Sequence, residues 1–141
     1  MADGNAATDT IVMLHEGDEP GFKERIVAKT GRKRRVFLPT ARMVDVFVRN
    51  LPRGKFSGPQ AMKRQFALEA GADLTCPVTT RMHMKTVAEA ALSQLAAGSS
   101  LSAITPFWRL LGPDDPVGKG LSCGPDFLRE RRAEEGNNAQ G

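Results

Sequence analysis

The sequence predicts a mainly α-helical chain with a small β component, a winged helix-turn-helix domain preceded by a basic N-terminal β-hairpin. Three observations carry this fold class. Three segments with apolar residues at helical spacing follow one another between positions 40 and 97, the last two separated by a turn and the third basic at its start. Two short apolar stretches on either side of Thr30-Gly31-Arg32-Lys33 read as the strands of a hairpin. After the third helix, Gly and Pro punctuate the chain into turns, the composition of a small loop-rich wing.

Taken in order, residues 1–21 mix Gly, Asp, Asn, Thr and Ala and read as a flexible acidic arm. The hairpin occupies 22–38, with Glu24-Arg25-Ile26-Val27-Ala28 and Arg35-Val36-Phe37-Leu38 as its arms. Arg32, Lys33 and Arg34 lie at its tip, either as a solvated turn or as a phosphate-contacting element. Thr40 is placed to cap the first helix, whose apolar stripe is Met43, Val44, Phe47 and Leu51. The second helix follows Ser57-Gly58-Pro59-Gln60, where Ser57 and Gln60 have the spacing of a capping box. Met62, Phe66 and Ala70 mark its buried face, and residues 72–77 are expected to form a turn.

The third helix is expected from about Thr79 to Ala97, with Met84, Val87, Ala88, Ala91 and Leu95 facing inward and Met82, His83 and Thr86 on the shoulders. Ile104 to Leu111 is apolar and aromatic, and Pro125 opens a last helical stretch to Glu135, beyond which 137–141 should fray. One domain therefore spans 39–136.

Charge is unevenly placed along the chain. Residues 1–21 carry five acids and no Lys or Arg, so the other 120 residues hold 20 basic groups against 11 acidic ones, a balance of +9. A cationic body of this size suits a polyanion. No apolar run approaches the roughly 20 residues of a membrane span, and no signal-peptide pattern opens the chain, so a soluble, cytoplasmic protein is expected. Cys76 and Cys123 are too few for a disulfide framework, and their spacing to His83 and His15 matches no recurrent zinc site. No metal or cofactor is expected. Cys76 reads as a buried small residue, a reactive thiol or a lone ligand.

Several local patterns also occur in a telling order. Leu51-Pro52-Arg53-Gly54-Lys55, the helix start at Ser57, Lys85-Thr86-Val87-Ala88-Glu89-Ala90, Ile104-Thr105-Pro106-Phe107-Trp108-Arg109-Leu110-Leu111 and the stretch from Leu128 to Gly136 together resemble the DNA-binding domain of the O6-alkylguanine-DNA alkyltransferases. The resemblance covers about residues 40–136. In that family the central run reads Ile-Pro-Cys-His-Arg-Val-Val, with the Cys accepting an alkyl group from a flipped guanine. Here Phe107 stands at the acceptor Cys and Trp108 at the activating His, so the thiolate and base that alkyl transfer requires are both missing. The chain is most similar to the alkyltransferase-like proteins that have lost the acceptor. Lys85 stands where the family inserts an Arg into the base stack, no Tyr exists to rotate the target phosphate, and the loop from Leu95 to Ile104 is longer than usual.

The resemblance implies a non-catalytic, monomeric protein on double-stranded DNA at the nucleoid, sensing alkylated or damaged bases and working with a repair protein. It implies Arg81, Lys85 and Thr86 on the recognition helix, with Lys55, Lys63 and Arg64 as supporting phosphate contacts. Pro106, Phe107, Trp108 and Ser122 would line a base pocket, and Arg109 would be structural. Two other classes stay open: an enzyme transferring an alkyl group to Cys76 or Cys123, and a protein-interaction domain that keeps the fold without the DNA grip.

Overall fold

The computed structural model describes residues 19–26 and 33–140. Strands β1 (Gly21–Ile26) and β2 (Lys33–Leu38) pair antiparallel, from Gly21 opposite Leu38 to Ile26 opposite Lys33. The hairpin pairing is thus present, with Lys33 and Arg34 inside β2 and not at the tip; residues 27–32, with Arg32, lie outside the described residues. Lys33 and Arg34 are exposed, while Arg35 lays its guanidinium 3.8 Å from the centre of the Phe22 ring.

The expected turn at 72–77 contains a third strand instead. Leu74–Thr75 (β3) runs parallel to β2, pairing Val36 with Leu74 and Phe37 with Thr75, so β2 lies between β1 and β3. Flanking bonds extend the ladder: Asp73 N–H donates to Arg35 O at 2.9 Å, Cys76 N–H to Phe37 O at 2.8 Å, and Arg35 N–H to Asp73 Oδ2 at 2.7 Å. A two-residue strand has no periodicity of its own to read; only its partner reveals it. The connection between the second and third helices is consequently stitched to the sheet and is no free turn.

Helix α1 (Ala41–Arg49) starts as expected, with Thr40 Oγ1 accepting from Met43 N–H at 3.2 Å. Its fully buried residues are Ala41, Val44, Asp45 and Val48, while Met43 and Phe47 pack half-buried at the margin. The apolar stripe is therefore rotated relative to expectation, because buried Asp45 is satisfied inside: it accepts the Thr105 hydroxyl at 2.5 Å and Arg49 Nε at 2.9 Å.

Helix α2 (Pro59–Ala70) departs from the expected capping box. Gly58 occupies the cap with no side-chain bond, and Pro59 is the first helical residue. Ser57 instead gives its N–H to Arg109 O at 2.8 Å, so it fastens the loop to the segment around Arg109. Met62, Phe66 and Ala67 are buried, and Gly71 ends the helix at φ 67°, the left-handed conformation glycine adopts without penalty. Helix α3 (Pro77–Ala96) begins two residues earlier than expected, since Pro77 can itself open a helix. It buries Thr80, His83, Met84, Val87, Ala88, Ala90 and Ala91 and packs chiefly against α1.

Residues 97–123 hold 3-10 turns at Leu101–Ala103 and Phe107–Arg109 and the one-turn helix α4 (Pro116–Lys119), capped by Asp115. No strand occurs there among the described residues; the segment expected to form a wing consists of turns and short helices. Helix α5 (Gly124–Gln140) runs past the expected boundary at 136. Val44, Val48, Met62, Val87, Phe107, Leu110, Leu111 and Leu128 form the core between the helices and the turns. No helix among the described residues is long and apolar enough to cross a membrane.

One close approach sets a testable constraint. A Cβ on Gly118 would sit 2.3 Å from Gly112 O and 2.9 Å from Leu128 Cδ1, whereas one on Gly120 meets only ordinary contacts at 3.7 Å. Gly118→Ala should therefore cost about 1–3 kcal/mol, because the 112 backbone must move. Gly120→Ala, at φ −88°, should stay within about 0.5 kcal/mol of the parent. Urea unfolding of the two variants checks the contrast.

Candidate functional site

Two places gather the chemistry of this chain: the outer face of α3 and the segment from Pro106 to Arg109.

On α3, burial of Thr80, His83, Met84 and Val87 leaves the opposite side of the first turns in solvent. Val78, Arg81, Met82 and Lys85 occupy that side at i, i+3, i+4 and i+7, all exposed, and so form one stripe. Arg81 and Lys85 have no ion-pair partner among the described residues, and no acid lies in the first helical turn to oppose its positive dipole end. Thr86 is turned away from this work: half-buried, its hydroxyl donates to Met82 O at 3.0 Å.

Lys63 and Arg64 reach the same end of α3. They line a hollow of about 390 Å³ together with Leu68, Thr75 and Pro77, the residue that opens α3. The Thr75 hydroxyl donates to Lys63 O at 2.7 Å and holds that wall in place. Lys55 is exposed in the loop after α1, on a different segment. Of the six cations and polar groups assigned to the helical interface, Lys63 and Arg64 thus share a hollow with Asp73 and Pro77, and Arg81 and Lys85 share the exposed stripe of α3.

The Pro106–Arg109 segment is organised by a residue that sequence reasoning passed over. Glu135 is 3% exposed, and its carboxylate collects four donors. Oε1 accepts Gly54 N–H at 3.0 Å and Arg109 Nε at 2.9 Å; Oε2 accepts Trp108 Nε1–H at 2.7 Å and Arg109 Nη2 at 3.0 Å. Burial pushes the Glu135 carboxyl up, but the bonds from Arg109, the Gly54 N–H and the Trp108 indole outweigh it and hold the group below its ordinary value. Arg109 also donates from Nη1 to Leu51 O at 2.8 Å, and Arg132 Nε to Trp108 O at 2.7 Å. Arg109 thus bridges Glu135 on α5 and the Leu51 carbonyl after α1. The signal for Glu135 was present in Trp108 and Arg109 themselves: an indole N–H and a guanidinium placed in an apolar motif require an acceptor.

The four residues expected to line a base pocket separate. Phe107 is 1% exposed, its ring stacked on Phe127 with centroids 6.0 Å apart, which makes it a core side chain. Ser122 gives its hydroxyl and its N–H to Glu89, at 2.6 and 2.8 Å, and does not line the cleft that Pro106 and Trp108 border. Pro106 and Trp108 do meet, at a cleft of about 640 Å³ that Arg49, Arg53, Arg131 and Glu134 also border. Position 107 is thus a packed hydrocarbon ring, and beside it stands an indole N–H already donated to a carboxylate.

The cysteines occupy different settings. Burial raises the Cys76 thiol, but the Thr79 hydroxyl, the backbone N–H groups of Thr79 and Val78, and Lys23 bring it below its ordinary value. The residue is 4% exposed under the start of α3. Burial and nearby Glu89 push the Cys123 thiol up, and its Sγ–H points to Gly124 O. Compared with known proteins, the chain matches no family model, no curated protein and no solved structure.

The Glu135 cluster makes a pH prediction. A native carboxylate that titrates below its unfolded value of 4.5 stabilises the fold fully above that value, and the contribution disappears as pH falls through the lowered one. Glu135→Gln should lose this acid limb and should cost about 3 kcal/mol at neutral pH, because Arg109 then lies largely buried without its counter-charge. Urea midpoints from pH 3 to 7 for parent and variant test it; parallel profiles would refute it.

Proposed function

We propose that the chain is a non-catalytic, monomeric protein that binds duplex DNA, of the alkyltransferase-like type that its segment order resembles. In this reading α2 and α3 form the helix pair of a winged helix-turn-helix and residues 97–123 its wing. The single observation that supports it best is the exposed stripe Val78–Arg81–Met82–Lys85, whose two cations lack partners among the described residues while Lys63 and Arg64 border the same helix end. Cations left unpaired on one rigid face are what phosphates recruit, and the positive end of a 20-residue helix adds to their field. Lys33 and Arg34 on β2, and Lys55, supply further positive charge to the body.

Binding of this kind releases counterions. With about four to six phosphates neutralised, the slope of log affinity against log salt should be roughly −4 to −5. Arg81→Ala and Lys85→Ala should each weaken binding by about 1–3 kcal/mol. Neither should move the thermal midpoint, since both side chains are exposed. A flat salt dependence, or two variants that bind like the parent, would refute the assignment of this face.

Sensing of alkylated bases for a repair protein is the further step that the resemblance implies. It needs a pocket, and in this chain Phe107 fills its own position with a ring packed on Phe127. We expect plain and O6-methylguanine duplexes to bind with similar affinity and no methyl to be transferred. Phe107→Cys should remain inactive: the new thiol would sit in the core, protonated, beside an indole that donates to Glu135 and cannot accept a proton. Intact-mass measurement after incubation with O6-methylguanine duplex reads the outcome; a gain of one methyl on the parent would overturn it and point to Cys76 or Cys123.

One observation favours a second reading, a protein-interaction domain. Leu68, Val78 and Met82 are all more than half exposed around the α2–α3 junction. Such a domain would give no salt-dependent DNA shift at moderate ionic strength, and the slope measurement separates the two.

A further inference from the structure

Four guanidinium groups border the cleft of about 640 Å³ beside Trp108, and the fold engages them unequally. Arg109 is fully used, with Nε and Nη2 on Glu135 and Nη1 on Leu51 O. Arg49, in the last turn of α1, gives Nε to Asp45 and is 34% exposed, and neither of its Nη groups is hydrogen-bonded among the described residues. Arg53, in the loop that follows, is exposed, and its guanidinium has no ion pair or hydrogen bond among those residues. Arg131 on α5 gives Nη1 to Glu134 at 2.9 Å, while its Nε is buried with no acceptor among the described residues. A buried donor in this state is an exception in folded proteins.

The carboxylates at the border do not supply the missing acceptors. Glu135 is saturated by its four donors, and Glu134, 55% exposed, serves Arg131 alone. Matching Arg109 with Glu135, Arg49 with Asp45 and Arg131 with Glu134 leaves Arg53 without a counter-charge and N–H groups of Arg49 and Arg131 unspent. Guanidiniums brought to one cleft from α1, its following loop and α5 repel one another until an anion joins them.

We propose that this cleft binds a small organic phosphomonoester, its phosphate held by Arg49, Arg53 and Arg131. The inference does not rest on the DNA-binding reading above. The number of donors selects the anion. A carboxylate offers two oxygens, which one guanidinium fork occupies, whereas a phosphomonoester offers three terminal oxygens and nearly two charges, enough for forks from several sides. Turning Arg131 toward it surrenders only an exposed i,i+3 ion pair, which contributes little, and gives Nε an acceptor.

The size of the cleft selects an ester over the bare ion. Its volume lies within the range of about 300–1,000 Å³ usual for small-molecule sites. Leu101, 36% exposed, and Pro106 offer apolar surface to the organic part, and the Ser100 and Ser102 hydroxyls, 3.1 Å apart, offer polar contacts. Trp108 and Ile104, both almost wholly buried, form a fixed wall behind them.

The test titrates the full chain at low ionic strength with phenyl phosphate, inorganic phosphate and benzoate. Trp108 is the sole tryptophan and borders the cleft, so its emission is one readout; calorimetry on the same samples is the other. Phenyl phosphate should bind saturably and more tightly than inorganic phosphate, with benzoate at least about tenfold weaker. Arg53→Ala and Arg131→Ala should each weaken phenyl phosphate about tenfold or more. Arg53→Lys should restore only part of the loss, because it keeps the charge without the fork. Arg81→Ala and Lys63→Ala should bind phenyl phosphate like the parent.

No saturable binding by either readout overturns the proposal, as does equal affinity for benzoate. Loss at Lys63→Ala as large as at Arg53→Ala overturns it too, since the anion then follows overall charge. If the parent ignores phenyl phosphate but Arg53→Ala and Arg131→Ala lose duplex DNA, the cleft is overturned as a small-molecule site and its arginines join the DNA surface. Phenyl phosphate binding by a parent that gives no salt-dependent DNA shift keeps this proposal and refutes the DNA reading alone.

Discussion

The buried carboxylate of Glu135 is the constraint on which the second half of this fold depends. It is the common acceptor for Arg109, the Trp108 indole and the Gly54 amide, and so ties α5 to the 107–109 turn and to the loop leaving α1. Each of those donors would otherwise be a desolvated group without a partner, at a cost of about 1–3 kcal/mol apiece and more for the guanidinium. Arg109 carries the tie further, through Leu51 O on one side and through its own carbonyl, which accepts Ser57 N–H, on the other. The start of α2 is thus positioned by a residue near the end of the chain. A second buried carboxylate, Asp45, plays the corresponding part between α1 and Thr105.

This arrangement explains how Trp108 and Phe107 are both accommodated in the interior. The indole N–H uses the Glu135 carboxylate as its hydrogen-bond acceptor, and Phe107 fills the adjacent core volume against Phe127. The two rings add packing area beside the clamp. The clamp itself is therefore a device for shape, and it serves a binding protein as well as an enzyme.

The electrostatics follow a division of labour. The buried carboxylates are paired, Glu135 with Arg109 and Asp45 with the more exposed Arg49, each at 2.9 Å. Outside, Lys63 and Arg64 line the hollow beside Pro77, and Arg81 and Lys85 lie exposed on α3, with no ion pair among the described residues. Buried charges without partners are too costly to keep, whereas exposed ones cost little and remain available to a polyanion. The internal pairs set the shape, and the unpaired cations set what that shape can attract.

The sequence by itself determined the features that depend on neighbours within a few positions. Thr40 as a cap, the helical runs through Met62–Phe66 and Met84–Ala91, the hairpin strands and the Arg81–Lys85 face were all legible, because helical spacing, proline and glycine act locally. Only the tertiary structure decided what depends on distant partners. Asp45 turns inward because Thr105, 60 positions away, supplies a hydroxyl; Glu135 is buried because Gly54, 81 positions away, and Trp108, 27 away, donate to it. β3 exists because β2 is beside it, and the Ser57 capping box gave way to Gly58 because Pro59 opens the helix and Arg109 takes the Ser57 amide. Met82 shows the same limit from the other side. Its apolar character suggested a shoulder of the core, and only the packing of α3 on α1, which uses the opposite face, left it in solvent. A polar residue can be buried and an apolar one exposed whenever partners far along the chain change the cost of each, and spacing along one helix carries no record of those partners.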